Sequence, residues 1–317
     1  MDGAGIAARA AALAVLSDVL RHRRPLDLAL AGHLENAGLE PRDLGFARAI
    51  ASETLRRFGQ LEALIATFVP KAPPQHKAGP TLEILLAGAC ELLFLDVAAH
   101  AAVDAANRLA QRDAKAMHFK SLINAVLRRI AKEGRALLEK QDAAVLNTPD
   151  WLFTRWREIY GEEIARAIAE AHLHPAPLDL NVKSDAARWA NELDGTVMGG
   201  NIVRLRTPQR VDQIPGYDDG QWWVQDFAAS LPARLLGDVR GRIVLDLCAA
   251  PGGKTAELAN MGAKVIAVER DGARLLRLRE NMARLKLEAI TIEADVGDYR
   301  PTSPAPLVLL DAPCTAT

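Results

Sequence analysis

From Gly241 to the last residue, short apolar runs and helical stretches take turns. The runs "RIVLDL", "KVIAVE", "AITIEAD" and "LVLLDAP" are rich in Val, Ile and Leu, and each ends in or beside a carboxylate. Between the first two lies "GGKTAELANMG", and between the next two "ARLLRLRENMARLKL", both with helical spacing of apolar residues. Strand, helix and strand in succession predict a parallel sheet with helices on its faces. Such a sheet binds ligands beyond the carboxyl ends of its strands. Asp246, Glu269, Asp295 and Asp311 are therefore expected to line one rim.

The loop after the first of these strands reads "CAAPGGKT". Gly252 and Gly253 let the backbone come close to a ligand, and they feed into a helix whose N-terminus favours negative charge. A phosphate-binding P-loop requires glycine where Cys248 stands, and a dinucleotide fingerprint requires G-x-G-x-x-G; the sequence has neither. That leaves a nucleoside ligand without a pyrophosphate, and S-adenosylmethionine fits. Glu269, at the tip of the second strand, is placed to accept both ribose hydroxyls. Asp295 is placed to accept from the adenine amino group, and Lys254 to meet the methionine carboxylate.

Upstream the texture differs. A chain of 317 residues suggests two or three domains. Residues 1–145 show helical periodicity almost throughout, with Pro25, Pro41 and "APPQHKAGP" as separators, and predict an all-helical bundle. In "FKSLINAVLRRI" one face is apolar, while Lys120, Asn124 and Arg128 recur at four-residue spacing on another. That stripe suits a phosphate backbone, and it equally suits a solvated helix face. Residues 146–236 predict a small α+β module: a helix over "WLFTRWREIYGEEIARAIAEAHLH", extended pieces "LDLNV" and "NIVRLR", and the helical "DAARWANEL". Arg204, Arg206 and Arg210 with Trp222 and Trp223 offer charge and stacking for single-stranded RNA, although tryptophans more often belong to a core. His172 and His174 lack ligand-type neighbours and are read as surface residues at a helix end.

A formal net charge of −1 gives no overall attraction to nucleic acid or membrane, so an RNA surface has to be a local patch. Cys90, Cys248 and Cys314 have no paired spacing, which fits a reducing compartment and argues against a disulfide framework or a zinc cluster. No apolar run reaches membrane-spanning length. The N-terminal "GIAARAAALAVL" continues into "SDVLRHRR" with no cleavage pattern, so it is read as a first helix. The expectation is a cytoplasmic monomer with no membrane and no metal.

The motifs "LDLCAAPGGKT", "AVERD", "EAD" and "LLDAPCTAT" closely resemble the RsmB-type (Fmu/Sun) ribosomal RNA cytosine-5 methyltransferases. "WVQDFAAS" resembles that family's lead-in to the cofactor domain, and "RPLDLAL", "ETLRR" and "SLINAVLRR" resemble its NusB-like RNA-binding domain. The resemblance implies three parts: a NusB-like helical bundle over 1–145, a linker or RNA-binding module over 146–236, and over 237–317 the first part of a Rossmann-like class I methyltransferase sheet. It implies S-adenosylmethionine held by Cys248, Ala249, Ala250, Pro251, Gly252, Gly253, Lys254, Glu269, Arg274, Asp295 and Asp311. The implied substrate is a cytosine of small-subunit ribosomal RNA, and the stripe of Lys120, Asn124 and Arg128 becomes an expected RNA contact.

Carbon 5 of cytosine is a poor nucleophile until a thiolate adds to carbon 6, so the chemistry requires a cysteine beside the base and a proton acceptor. In this family a second cysteine, in a Thr-Cys-Ser segment downstream, makes that attack, and the Pro-Cys thiol helps release the product. By resemblance Cys314 is that releasing thiol, or the base. The attacking cysteine is not in this sequence, and the expectation is a C-terminally truncated part of a longer enzyme that does not turn over alone. Cys90 is read as an inert core residue and Cys248 as part of the cofactor loop. A reading from another class is a non-catalytic RNA-binding or ribosome-assembly factor with a vestigial methyltransferase fold.

Overall fold

Proline punctuates the first half of the chain, as its fixed φ and missing N–H suit helix starts. In the computed structural model, which describes residues 4–35, 37–71, 73–207 and 210–313, Pro25, Pro80 and Pro149 immediately precede helices and Pro41 begins one. Cys314 to Thr317 lie outside the described residues. The chain divides into two compact units between Pro175 and Ala176. No helix among the described residues is long and apolar enough to cross a membrane.

The first unit is helical: α1 (Ala4–His22), α2 (Leu26–Leu34), α3 (Pro41–Arg56), α4 (Phe58–Phe68), α5 (Gln75–Ala78), α6 (Thr81–Leu93), α7 (Ala99–Gln111), α8 (Lys120–Leu138), α9 (Ala143–Leu146), α10 (Asp150–Tyr160) and α11 (Glu162–Ala171). Helix α6 is its axis and is buried almost all round, as its near-continuous apolar sequence demands. One core cluster packs α1 against α2 and α3, and a second gathers α4, α6, α7 and α8. Two carboxylates of α6 are buried, and α1 supplies a guanidinium to each. Arg9 donates to both oxygens of Glu91, at 2.9 Å and 3.0 Å through Nε, and Arg21 pairs with Glu83. Burial pushes the Glu91 carboxyl up while Arg9 pulls it back. Removing one partner of such a pair would strand a buried charge, so the pairs fix α1 along α6.

Two helices that read as continuous in sequence are broken. The apolar pattern of α3 runs on into α4, yet Arg57 leaves helical geometry (φ −105°, ψ 16°), and its guanidinium donates to Glu53 at 3.0 Å and to the Leu173 carbonyl at 3.0 Å. The long helix expected after Trp151 breaks at Gly161, whose φ of +83° glycine adopts without steric cost. The break lets α10 and α11 fold into a hairpin, and α11 packs on α9. This hairpin thus belongs to the helical unit, whereas the sequence reading grouped it with the module over 146–236.

The second unit holds two four-stranded sheets. In the antiparallel one, β1 (Asp179–Val182), β2 (Gly195–Gly199), β3 (Ile202–Leu205) and β4 (Trp222–Val224) lie in the order β2-β3-β1-β4, with α12 (Ala186–Glu192) against them. The tryptophans are core: Trp222 is 0% exposed and Trp223 4%. Trp222 donates its indole N–H to the Pro215 carbonyl at 2.8 Å. Arg204 forms a two-pronged pair with buried Asp179 at 2.7 Å and 2.8 Å, and Arg206 and Arg210 pair with Asp194 and Asp212. The suggestion that the tryptophans stack on RNA is corrected accordingly, because both rings are buried, and the three arginines are paired with carboxylates.

After α13 (Phe227–Leu235) comes the parallel sheet: β5 (Ile243–Leu247), α14 (Gly253–Asn260), β6 (Lys264–Glu269), α15 (Gly272–Leu285), β7 (Ile290–Glu293) and β8 (Leu307–Leu310), in the order β7-β6-β5-β8. Leu247 pairs with Val268 on one side and Leu310 on the other, while Glu269 pairs with Glu293, so the strands end together on one rim. Val244, Val265 and Leu309 pack with Leu258 of α14 and Ala233 of α13.

Gly59 permits the closest approach in the helical unit, since a Cβ there would lie 1.7 Å from the Leu146 carbonyl oxygen. Gly59→Ala is expected to destabilise the protein by about 1–3 kcal/mol or more, read as a lower urea midpoint. An unchanged midpoint would show that α4 and α9 do not meet there.

Candidate functional site

The loop between β5 and α14 turns sharply because two of its residues take left-handed conformations, Cys248 (φ +63°) and Gly252 (φ +103°). A Cβ at Gly252 would meet the Leu278 side chain at 3.0 Å, so glycine also lets α15 pack close. The peptide groups of the loop are held by side chains from β6 and α15. Ala250 donates its N–H to Glu269 Oε2 at 3.3 Å, and its carbonyl accepts from Arg274 at 2.6 Å. Asn281 donates to the Pro251 carbonyl at 3.0 Å. The other oxygen of Glu269 accepts the Asp271 N–H at 3.1 Å, and Asp271 caps α15 by accepting from the Arg274 N–H at 3.0 Å.

Behind the loop, Asp246 is 1% exposed and accepts the Thr255 hydroxyl at 2.6 Å. It sits one residue inside β5 and not at its tip, and burial pushes its carboxyl up to about 6. In front, Lys254 Nζ donates to Asp311 Oδ2 at 2.7 Å, joining the start of α14 to the end of β8. A cavity of about 410 Å³ opens here, lined by residues 248–254, Asp246 and Asp311, together with Gln225, Tyr217 and Arg284. That volume is in the range of small-molecule sites.

Of the residues expected to hold a cofactor, Cys248 to Lys254 and Asp311 surround this cavity. Glu269 and Arg274 stand behind it, gripping Ala250, and are not among its lining residues. Asp295 is exposed at the rim, accepts the Gly297 N–H at 2.8 Å and lies 3.9 Å from Arg270. Charges of Glu269, Asp295, Arg270 and Arg274 all act on Cys248, whose thiol is pushed up chiefly by burial. Thus the four acidic strand ends do share one neighbourhood, although two of them lie outside the cavity itself. Cys314 lies outside the described residues. Cys90 is fully buried in α6, and burial pushes its thiol up to about 12, which suits an inert core residue.

Sequence reasoning missed Gln225. Its Oε1 accepts from Trp223 at 2.7 Å and Asn181 at 2.9 Å, and its Nε2 donates to Glu257 at 2.7 Å. Glu257 also accepts from Arg234 at 3.1 Å. This network seats β4 on α14 beside the cavity. The quoted segment "WVQDFAAS" contained the residue, but only the fold supplies its partners.

In the helical unit, Lys120 and Asn124 are half-buried on α8 and Arg128 is exposed. Asn124 and Arg128 line a groove shared with α7, and Lys120 does not.

A nucleoside sulfonium fits the cavity on the groups that line it: the Lys254 ammonium offers a donor to a carboxylate, and the Asp311 carboxylate offers an acceptor.

Residues 6–132 match the NusB family, and residues 233–317 match "16S rRNA methyltransferase RsmB/F". The ribosomal RNA small subunit methyltransferase B of Vibrio cholerae is 34% identical over 98% of this chain and 74% of its own length. Its counterpart in Pasteurella multocida is 34% identical over 88% of this chain and 66% of its own length. The chain thus spans about two thirds to three quarters of these curated relatives. The crystal structure of PH0851 superimposes over 99% of this chain and 75% of that one with a TM-score of 0.72; at 20% identity it shares the fold.

Asp246 gives the site a pH signature. Its carboxyl is raised from 3.8 to about 6, so the folded state retains a proton that the unfolded chain releases. Stability therefore falls as pH rises through that window and stays lower above it, by on the order of 3 kcal/mol for this group. Asp246→Asn is expected to flatten the wild-type decline in urea midpoint between these pH values. Parallel pH profiles for the two proteins would show that Asp246 is not buried as described.

Proposed function

Since the chain belongs to the RsmB/F family of 16S ribosomal RNA methyltransferases, we propose that it serves S-adenosylmethionine-dependent methylation of carbon 5 of a cytosine in small-subunit ribosomal RNA. The observation that carries this reading is the 410 Å³ cavity beyond β5, walled by residues 248–254 and closed in front by the Lys254–Asp311 pair. When bound, S-adenosylmethionine supplies an electrophilic methyl group.

Each residue has a task in this reading. The first amides of α14, from Gly253 onward, and the ammonium group of Lys254 receive the polar groups of the cofactor. Glu269 turns its remaining lone pairs to the ribose, and Asp295 takes the adenine amino group at the rim. Arg274 keeps the loop in shape through Ala250. Tyr217 and Gln225 line the cavity and help to exclude water from it. The target base leaves its stack to reach the site. A cysteine thiolate bonds to carbon 6, which makes carbon 5 nucleophilic. With the cofactor's methyl group on carbon 5, a base would take the carbon-5 proton and the sulfur–carbon bond would break to return a thiolate, which restores the ring. Cys314 assists that release. Lys120, Asn124 and Arg128 of α8 face the RNA.

The competing reading, a binding factor without catalysis, leaves the Lys254–Asp311 pair and the cavity without a task. Cys314→Ala in the full-length enzyme is expected either to abolish methyl transfer to small-subunit RNA or to accumulate a covalent RNA adduct on denaturing gels. Unchanged turnover with no adduct would remove Cys314 from the mechanism.

A further inference from the structure

The groove between α7 and α8 encloses about 620 Å³ and lies within the helical unit. His100, Asp104 and Asn107 of α7 face Asn124, Arg128 and Lys132 of α8 across it. At its centre an Asn107 amide N–H donates to Asn124 Oδ1 at 3.1 Å. That bond leaves the Asn107 oxygen, the Asn124 amide nitrogen and the second N–H of Asn107 without a partner within the pair. The oxygen, Asn107 Oδ1, is shut off from solvent and bonded to nothing. Buried acceptors are rarely left so, and the exceptions call for an explanation.

The charges around the pair are unevenly placed. Arg128 and Lys132 are exposed, and neither is in an ion pair among the described residues. Their neighbour Arg129 is occupied, 3.4 Å from Glu133 and over the Phe68 ring. Asn124, Arg128 and Lys132 follow each other about 6 Å apart along the helix. The carboxylate of the groove, Asp104, stands on the α7 wall, 3.9 Å from Arg108. The uncompensated positive charge of the groove thus lies on α8, which is the wall that attracts a phosphate chain.

We propose that this groove reads a nucleotide. One unstacked base of single-stranded RNA enters edge-on and exchanges a donor and an acceptor with the Asn107–Asn124 amide pair. Entry breaks the Asn107–Asn124 bond and turns the Asn107 amide, so that its oxygen accepts from the base while the Asn124 amide donates to it, and Arg128 and Lys132 hold the adjoining phosphates. His100 offers a ring for the base to stack on. Every base has a donor beside an acceptor on its Watson–Crick edge, so the pair distinguishes a base from no base and does not choose among the four. The proposal rests on the reading of α8 as an RNA-facing helix and adds a base contact on α7, at a residue that spacing along α8 cannot reveal.

The test uses fluorescence anisotropy with the whole chain, a short mixed-sequence single-stranded RNA, an abasic strand of equal length, and heparin. Wild type is expected to bind the RNA about tenfold more tightly than the abasic strand. Asn107→Leu is expected to remove that preference while leaving heparin affinity and the salt slope unchanged. Replacing Arg128 and Lys132 by glutamine is expected to weaken all three ligands and make the salt slope shallower. Equal wild-type affinity for RNA and abasic strand would overturn base reading, as would a preference that survives in Asn107→Leu. If the glutamine variant keeps both affinity and slope, the RNA-facing reading of α8 itself fails.

Discussion

One peptide group holds the candidate site in shape. Ala250 gives its N–H to the buried carboxylate of Glu269 and its carbonyl to Arg274, so a loop with two left-handed residues is clamped from both sides. Loops of this kind expose several backbone donors, and a buried donor left unpaired costs about 1–3 kcal/mol. Glu269 meets that need from the next strand over, which is possible because β5 and β6 pair in parallel and end in register. The acidic strand tip therefore shapes the cradle before it can touch any ligand. With the loop fixed, α14 starts where Lys254 can reach Asp311 at the end of β8.

The antiparallel sheet is the second support. Gln225 accepts from Trp223 and Asn181 and donates to Glu257, and Arg234 offsets the carboxylate that burial pushes up. Buried polar networks specify a geometry only when every member is satisfied, and this one closes on itself. What composition suggested as a separate RNA-binding module is, in the structure, a wall of the cavity. Its arginines serve the same end: Arg204 neutralises Asp179, which also accepts the Phe227 N–H at the start of α13.

The parallel sheet was legible because each strand is a short β-branched run bounded by a helix of clear period, and all four fall where expected. The loop was legible through its paired glycines. Other features could not be read in one dimension. The apolar spacing of α3 continues through Arg57, and the break depends on the distant Leu173 carbonyl. Strands β2, "GTVMG", and β4, "WWV", carry little pattern of their own and exist through pairing with β3 and β1. Trp222 and Trp223 look alike as stacking or core residues until burial is known. Asn107 acquires meaning only opposite Asn124. Likewise, the sequence showed Glu269 at the end of a strand but could not show that its first partners are backbone amides.

The central claim is that this clamped loop is a nucleoside-sulfonium cradle. Isothermal titration of the chain with S-adenosylmethionine tests it most directly. The account predicts a one-to-one heat of binding in wild type, and an affinity reduced by about tenfold or more in Glu269→Ala, where the Ala250 N–H loses its acceptor. No heat with wild type, or equal affinity in the two proteins, would contradict it.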